Sequence, residues 1–320
     1  MARYLLRRVG YLVPVWLGIS LLAFSLANLA PGDPARIVLQ RQTGEVPSDE
    51  AVQALRQQLG LNDPFPVRYG RWLIHAVQGD LGTSYRTGEQ VLPALGTHFV
   101  ATVQVALAAL LLCVLVAIPL GTLSAVRRGR ALDHGSRLVA LVGASMPSFW
   151  LGYVLVIVFA VTLRLLPVAG YGTPQNLVLP ALTLGLGAAA SLTRLTRASV
   201  LEVLEEEFVR TARAKGLAER STIVRHALRN ALVPITTVTG IRFGHLLGGT
   251  VIVETVFAWP GIGKYVVDSI YDRDYPTIQG FVLFMGTVFV LLNLLVDVSY
   301  VWLDPRVRLG GTGAGRRGAG

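Results

Sequence analysis

Charge is scarce in this chain. Only 15% of its 320 residues are Asp, Glu, Lys or Arg, against about 25% in a typical soluble domain. That deficit excludes a well-hydrated globular surface. Cysteine is almost absent: Cys113 stands alone inside an apolar run, so no internal disulfide and no cysteine-based metal cluster can form. Lysine is nearly missing too, with two residues, Lys215 and Lys264, beside 27 arginines. The five histidines are scattered and make no metal site. There is no His-Glu-x-x-His and no Gly-x-Ser-x-Gly, which removes the common zinc-hydrolase and serine-hydrolase signatures. Gly261-Ile-Gly-Lys264 only imitates a nucleotide loop. A P-loop requires a glycine five residues before its Gly-Lys and a Ser or Thr after it, whereas Ala258 and Tyr265 occupy those places.

What is abundant is hydrocarbon. The chain is 52% hydrophobic, with a mean hydropathy of +0.55. Six apolar stretches stand out, at 11–30, 100–123, 138–163, 178–195, 231–253 and 277–303. Each has the length needed to cross a core of about 30 Å at about 1.5 Å per residue; the fourth is the shortest. Arg3, Arg7 and Arg8 before an apolar stretch, with Ser25-Leu26-Ala27 after it, imitate a signal peptide. The run is longer than a signal core and more spans follow, so an uncleaved first transmembrane helix is expected.

The net charge of +10 sits beside the spans, which assigns it to the membrane rather than to nucleic acid. Six spans place both termini on one side. The N-terminus, the second-to-third and fourth-to-fifth connections and the tail together carry 19 Arg and Lys, and the short opposite loops carry three. This asymmetry predicts both termini in the cytoplasm. The expected segmentation is 1–30 for the cytoplasmic N-terminus and first span, and 31–99 for an extracytoplasmic cap. A core of five further spans with a cytoplasmic loop at 196–230 follows over 100–303, then a Gly/Arg-rich, disordered cytoplasmic tail over 304–320. Within the cap, Ser48 is a candidate N-cap for a helix ended by Gly60, with Val52, Leu55 and Leu59 on one face. A second helix is expected from Val67 to Val77.

The fourth-to-fifth connection, 196–230, is unusually long. Leu201, Leu204, Phe208 and Ala212 recur at helical spacing, and Glu206 can pair with Arg210. Arg213 and Lys215 suit a last helical turn, and Gly216 suits the position after it. A second helix begins near Ser221 with Ile223, Val224, Ala227, Leu228, Ala231 and Leu232 on its apolar face; Pro234 follows. Two amphipathic helices thus meet at a glycine turn. From the pattern alone, they form either an interfacial pair lying on anionic lipid or a docking surface for a cytoplasmic partner.

These residues carry a family resemblance. Phe208-Val-Arg-Thr-Ala-Arg-Ala-Lys-Gly216, followed by Arg225-His-Ala-Leu-Arg-Asn-Ala-Leu-Val-Pro234, resembles the cytoplasmic loop of binding-protein-dependent ABC-transporter permeases, in the dipeptide/oligopeptide/nickel subgroup. The broad family begins this loop with Glu-Ala-Ala; Arg210, Thr211 and Ala212 stand there instead. Pro31-Gly-Asp-Pro34, Leu59 to Pro66, Gly79 to Tyr85, Phe257 to Gly263, Asp274-Tyr-Pro276 and Asp304-Pro-Arg306 extend the likeness in order along the chain, to the B-type subunit. The resemblance implies an all-α membrane protein with six transmembrane helices of the type I ABC importer permease fold and a small extracytoplasmic cap. It implies a non-catalytic inner-membrane subunit with no cofactor of its own. ATP and Mg would be bound by two partner ATPase subunits, beside a second homologous permease and an extracytoplasmic solute-binding protein. The loop Arg210, Thr211, Ala212, Arg213, Ala214, Lys215 and Gly216 would be the ATPase-coupling element. Peptides are the expected substrate, with nickel chelates, glutathione or sugars as the alternative.

Arg242 and His245, three residues apart in the fifth span, are candidates for the translocation path, because an ionisable group at membrane depth is there for a reason. Gly240, Gly244 and Gly248 make a small-residue ridge for close helix packing. Glu254 and Asp268 read as a solvated outer face, and Pro119 and Pro147 as helix kinks. Asn293 and Asp297 offer hydrogen bonds between helices. An ion-coupled secondary transporter would need intramembrane carboxylates, which the spans lack beyond Asp297. An intramembrane enzyme would have only the unlinked pair Ser145 and His245.

Overall fold

The computed structural model describes residues 2–29 and 32–303. Pro31, the tail 304–320 with its Asp304-Pro-Arg306, and the side chains of Arg3, Arg7, Arg8 and Asp297 lie outside the described residues. Apart from one isolated bridge between Thr83 and Gln90, the regular structure among the described residues is helical. The chain forms two compact units, Met1–Thr97 with Val266–Gly320, and His98–Tyr265.

In the first unit, α1 (Ala2–Leu29) packs against α14 (Tyr275–Leu303). Trp16 Nε1 donates to Thr287 Oγ1 at 3.0 Å, and Gly286 leaves room for Ile19, whose Cγ2 lies only 2.8 Å from where a Cβ would stand. Three short helices follow α1. Asp33 caps α2 (Pro34–Thr43) by accepting from Ala35 N, with Pro34 at the first helical position. This helix was not read from the sequence, although Asp-Pro is a start signal. Ser48 caps α3 (Asp49–Gln58) as expected, and Gly60 follows its end with φ +64°. The next helix, α4 (Phe65–Val77), matches the second expected one. Its Phe65, Tyr69 and Trp72 gather around Phe24 of α1 at 5.4–5.6 Å between ring centres, and Ser20 and Tyr69 share a hydrogen bond of 2.8 Å.

Two sequence motifs far apart in the chain meet in this unit. Asp274, fully buried, precedes α14 and accepts from Ser84 Oγ at 2.5 Å, Tyr85 N at 2.8 Å and Thr277 Oγ1 at 2.8 Å. The Gly79–Tyr85 segment is therefore tied to Asp274-Tyr-Pro276. A buried carboxylate with three donors is a satisfied anchor, not an exposed charge.

In the second unit, α8 (Pro174–Leu204) is central. Half of its apolar stretch is buried within the chain, about twice the share of the other apolar helices. It packs against α6 (Ala131–Ser145), α7 (Ser148–Leu155) and α11 (Leu228–Gly249). The long α5 (Val91–Val126) crosses it where both backbones come close. A Cβ on Gly121 would stand 2.7 Å from Thr193 O, and one on Gly185 2.8 Å from Ala109 O. These two glycines, rather than Gly240 and Gly244, make the close crossing. Gly240 and Gly244 face open space in this chain.

Pro147 does more than kink a helix. It ends α6 and caps α7, and the pair is bent by 106°. Pro119 stays inside α5. After α7 the backbone widens into a π turn, Val156–Thr162. Among the described residues, four helices are long and apolar enough to cross a membrane, or five if the bent pair α6–α7 is one span. The expected fifth span falls on α11, which has 22 residues. Arg229, Asn230, Arg242, His245 and its threonines and glycines hold it below the apolarity of the others.

Candidate functional site

The loop singled out in the sequence forms a short exposed helix, α9 (Glu207–Ala214). Glu206 precedes it with extended backbone, φ −69° and ψ 147°, so it cannot pair with Arg210 across a helical turn. Arg210 pairs instead with Glu207 at 3.4 Å. Helix α8 stops at Leu204, which resets the helical register. Leu201 and Leu204 belong to α8, Phe208 is exposed, and the residues that attach α9 to the protein are the buried Val209 and Ala212. Acidic residues open the helix and Arg213 closes it, both favourable to its dipole.

The end of α9 is a tight, fully bonded turn. Gly216 N donates to Arg213 O at 2.9 Å and Leu217 N to Ala212 O at 3.3 Å. Gly216 takes φ +76°, a conformation that costs other L-residues roughly 1–2 kcal/mol. This pair of bonds is the Schellman arrangement. Across the turn, Arg213 grips Glu219 with two bonds of 3.1 and 2.7 Å. The Arg213 guanidinium holds the Glu219 carboxyl below its ordinary range. The pair ties α9 to α10 (Glu219–Ser221), which runs through a π turn, Thr222–Ala227, into α11. The extra residue in that turn rotates the faces. Thr222, Ala227 and Ala231 are buried, whereas Val224, read as apolar-face, is exposed. Arg210, Thr211, Arg213, Ala214, Lys215 and Gly216 are all exposed, and Ala212 alone of the predicted set is buried.

Arg242 and His245 lie on α11. His245 is exposed and Arg242 is half-buried, with its Nε buried and without a hydrogen-bond partner.

Glu254 corrects the sequence reading. It lies on α12 (Val251–Val256) and is fully buried, not solvated. Its carboxylate accepts from Thr102 Oγ1 at 2.6 Å and from Lys264 N at 2.9 Å. Thr102 Oγ1 in turn accepts from Ile262 N at 2.9 Å. Gly261-Ile-Gly-Lys264 therefore does bind an anion at the start of α13 (Ile262–Tyr271), but the anion is the chain's own carboxylate. A Cβ on Gly261 would stand 2.1 Å from Glu254 Cδ, which is why glycine is required there. Trp259 Nε1 adds a bond to Ala101 O at 2.9 Å, and His98 Nδ1 contacts Pro260 O at 2.7 Å. Among the described residues, no group of three or more His, Cys, Asp or Glu is placed to hold a metal ion.

Comparison with known proteins settles the family. Residues 117–309 match the binding-protein-dependent transport system inner membrane component, and residues 1–117 match the N-terminal part of such membrane components. The chain belongs to this family. A dipeptide transport system permease protein of Alkalihalophilus pseudofirmus is 38% identical over 96% of this chain and 100% of its own length. A glutathione transport system permease protein of Salmonella paratyphi A is 40% identical over 96% and 99%. A solved amino acid ABC transporter chain superposes with a TM-score of 0.51 at 14% identity, covering 65% of this chain and 92% of its own, which supports the shared helical fold.

As an ABC importer permease, the chain is a non-catalytic multi-span inner-membrane subunit. Three residues of this permease that sequence reasoning missed matter to its loops. Val209 was hidden by the wrong register. Glu219 was hidden because its partner lies across the glycine turn. Thr102 was hidden because it sits in an apolar helix about 150 residues from Glu254. Only the Gly-x-Gly spacing at 261–263 could have signalled the last of these.

Proposed function

We propose that this chain is one of two homologous permease halves of a peptide importer. Six spans cross the inner membrane with both termini in the cytoplasm, α11 serving as the fifth. The segment between α1 and α5 caps the outer face. Arg210 to Gly216 of α9 docks on one of two ATPase subunits, which bind ATP and Mg, and a solute-binding protein delivers substrate from outside. The permease needs no cofactor of its own. Closure of the ATPases moves α9, and the permease shifts from inward- to outward-open because nucleotide binds one state better than the other.

The observation that carries this reading is the build of α9. It is exposed and basic along its outer face, anchored from beneath by Val209 and Ala212 and closed by the Gly216 turn. A short rigid element fixed at both ends transmits displacement, whereas a loose loop absorbs it. Arg242 and His245 fit the path, since the unpartnered Arg242 Nε and the open faces of Gly240 and Gly244 leave α11 free to meet a second permease or substrate. The relatives named for dipeptide and glutathione transport both handle peptides, which favours a short peptide over a nickel chelate or a sugar.

Co-purification tests the assembly. A tagged chain extracted in mild detergent is expected to bring a second permease and two ATPase copies. Gly216→Pro, which forbids φ +76°, is expected to lose the ATPases and keep the second permease. A chain that comes alone and drives ATP-independent flux in liposomes overturns the reading. Competition between a dipeptide and glutathione in the reconstituted importer then decides the substrate.

A further inference from the structure

One surface of the second unit has two chemistries side by side. Between α6 and α8 a cleft of about 500 Å³ is lined by His134, Arg137, Leu138, Leu141, Arg194 and Arg197. One carboxylate answers these cations. Asp133 is buried and binds Arg197 through two bonds of 2.7 and 2.9 Å, while also accepting from Ser124 Oγ and Gly129 N. Its oxygens are thereby spent. Arg137 and Arg194 have no carboxylate partner among the described residues. The basic mouth opens onto two apolar spaces. Leu138 is shared with a groove of about 690 Å³ running between α5, α6 and α8, walled by residues such as Leu120, Val139 and Leu186. Leu141 is shared with a hollow of about 490 Å³ at the Pro147 bend, walled by Phe149 and Trp150.

We propose that this surface binds an anionic phospholipid, with its phosphate between Arg137 and Arg194 and its acyl chains in the two apolar spaces. Each half of the surface asks for a different part of the same molecule. A soluble anion would use the cations and leave the apolar groove wet. An apolar helix of a partner would fill the groove and leave two guanidinium groups uncompensated. A phosphodiester with hydrocarbon tails satisfies both, its phosphate drawn by the two positive charges. The place in the fold agrees. Arg137 directly precedes the third apolar stretch and Arg194 lies near the end of the fourth, at the level where headgroups begin, and basic pockets between spans at that depth favour anionic lipid. The inference needs α6 and α8 to be in the membrane, but neither the substrate nor the α9 contact.

Native mass spectrometry of the detergent-purified complex tests it. Phosphatidylglycerol and phosphatidylcholine with identical chains are titrated against the wild type and the variants R137Q/R194Q and R137K/R194K. The expected result is preferential phosphatidylglycerol binding that weakens about fivefold per arginine removed, is largely kept by the lysine variant and resists competition by glycerol phosphate. Equal binding of the two lipids, or a preference untouched by R137Q/R194Q, overturns the proposal. Full displacement by glycerol phosphate would make this a soluble-anion site. A crosslink from Leu138→Cys to the second permease, unaffected by added lipid, would make it a subunit interface. R137K/R194K guards against misfolding: a loss of preference in it, with the complex intact, also counts against the proposal.

Discussion

At the scale of single residues, the structure separates charges that hold the protein together from charges that face outward. Glu254 reads as a solvated outer residue in the sequence because its neighbours are a turn and a polar helix start. Its burial depends on Thr102 and on the Gly261–Lys264 backbone, and no local pattern announces that three separate segments converge. Thr102→Val is expected to lower stability by about 1–3 kcal/mol, since it strips one donor from a buried carboxylate. Gly261→Ala should be at least as damaging, because its Cβ would overlap the carboxylate. Thermal unfolding in detergent reads both, and a melting temperature unchanged in both would refute the anchor. Glu219 behaves differently because it is half-exposed. Its folded pKa is depressed by Arg213, so the pair stabilises the turn above the ordinary glutamate value of about 4.3 and is lost as pH falls through the lowered folded value. Amide-exchange protection across α9 is therefore expected to stay level from pH 8 to 5 and to drop only in stronger acid. A drop already between pH 8 and 5 would remove the Arg213–Glu219 pair as the source of that protection.

At the scale of elements, the existence of most helices was legible and their faces were not. Apolar length alone gave α1, α5, α8 and α14, because a lipid-facing helix advertises itself by composition. The amphipathic pieces failed where the helix changed register. The break at Glu205 and the π turn at Thr222–Ala227 each shift which side chains point inward, and periodicity cannot see a shift it does not contain. The consequence falls on α9. Val209 is fully buried, so Val209→Ala should cost about 1–3 kcal/mol and loosen the helix from its base. Arg210→Ala should leave stability nearly unchanged, because its pair with Glu207 is exposed and such pairs contribute little. If α9 is the lever proposed here, both variants lower peptide-stimulated ATPase activity, and only Val209→Ala lowers the melting temperature. An Arg210→Ala permease with wild-type coupling would move the contact away from the outer face of α9.

At the scale of the whole molecule, orientation in the membrane is the property on which the proposed mechanism depends most. The arginine asymmetry predicts it, and the solitary cysteine makes it measurable. Cys113 is buried in α5, so Cys113→Ser should give a cysteine-free background at modest cost. Two exposed positions then report on opposite faces. Val46 lies between α2 and α3 and is 79% exposed, and Arg128 follows α5 with its side chain 66% exposed. In intact cells stripped of their outer barrier, a membrane-impermeant maleimide is expected to label Val46→Cys and not Arg128→Cys. In inside-out vesicles the pattern should reverse. The physical basis is that about 19 basic residues on one set of loops resist transfer through a membrane that is negative inside. A third position, Leu217→Cys, extends the argument to α9. It follows the Gly216 turn and is 42% exposed, so it should label like Arg128→Cys in vesicles of the bare permease. It should become protected once the ATPases are present. Labelling of Leu217→Cys from outside would invert the topology and remove α9 from any ATP-driven partner. Correct sidedness without protection would keep the importer orientation and send the search for the coupling contact elsewhere along the same face.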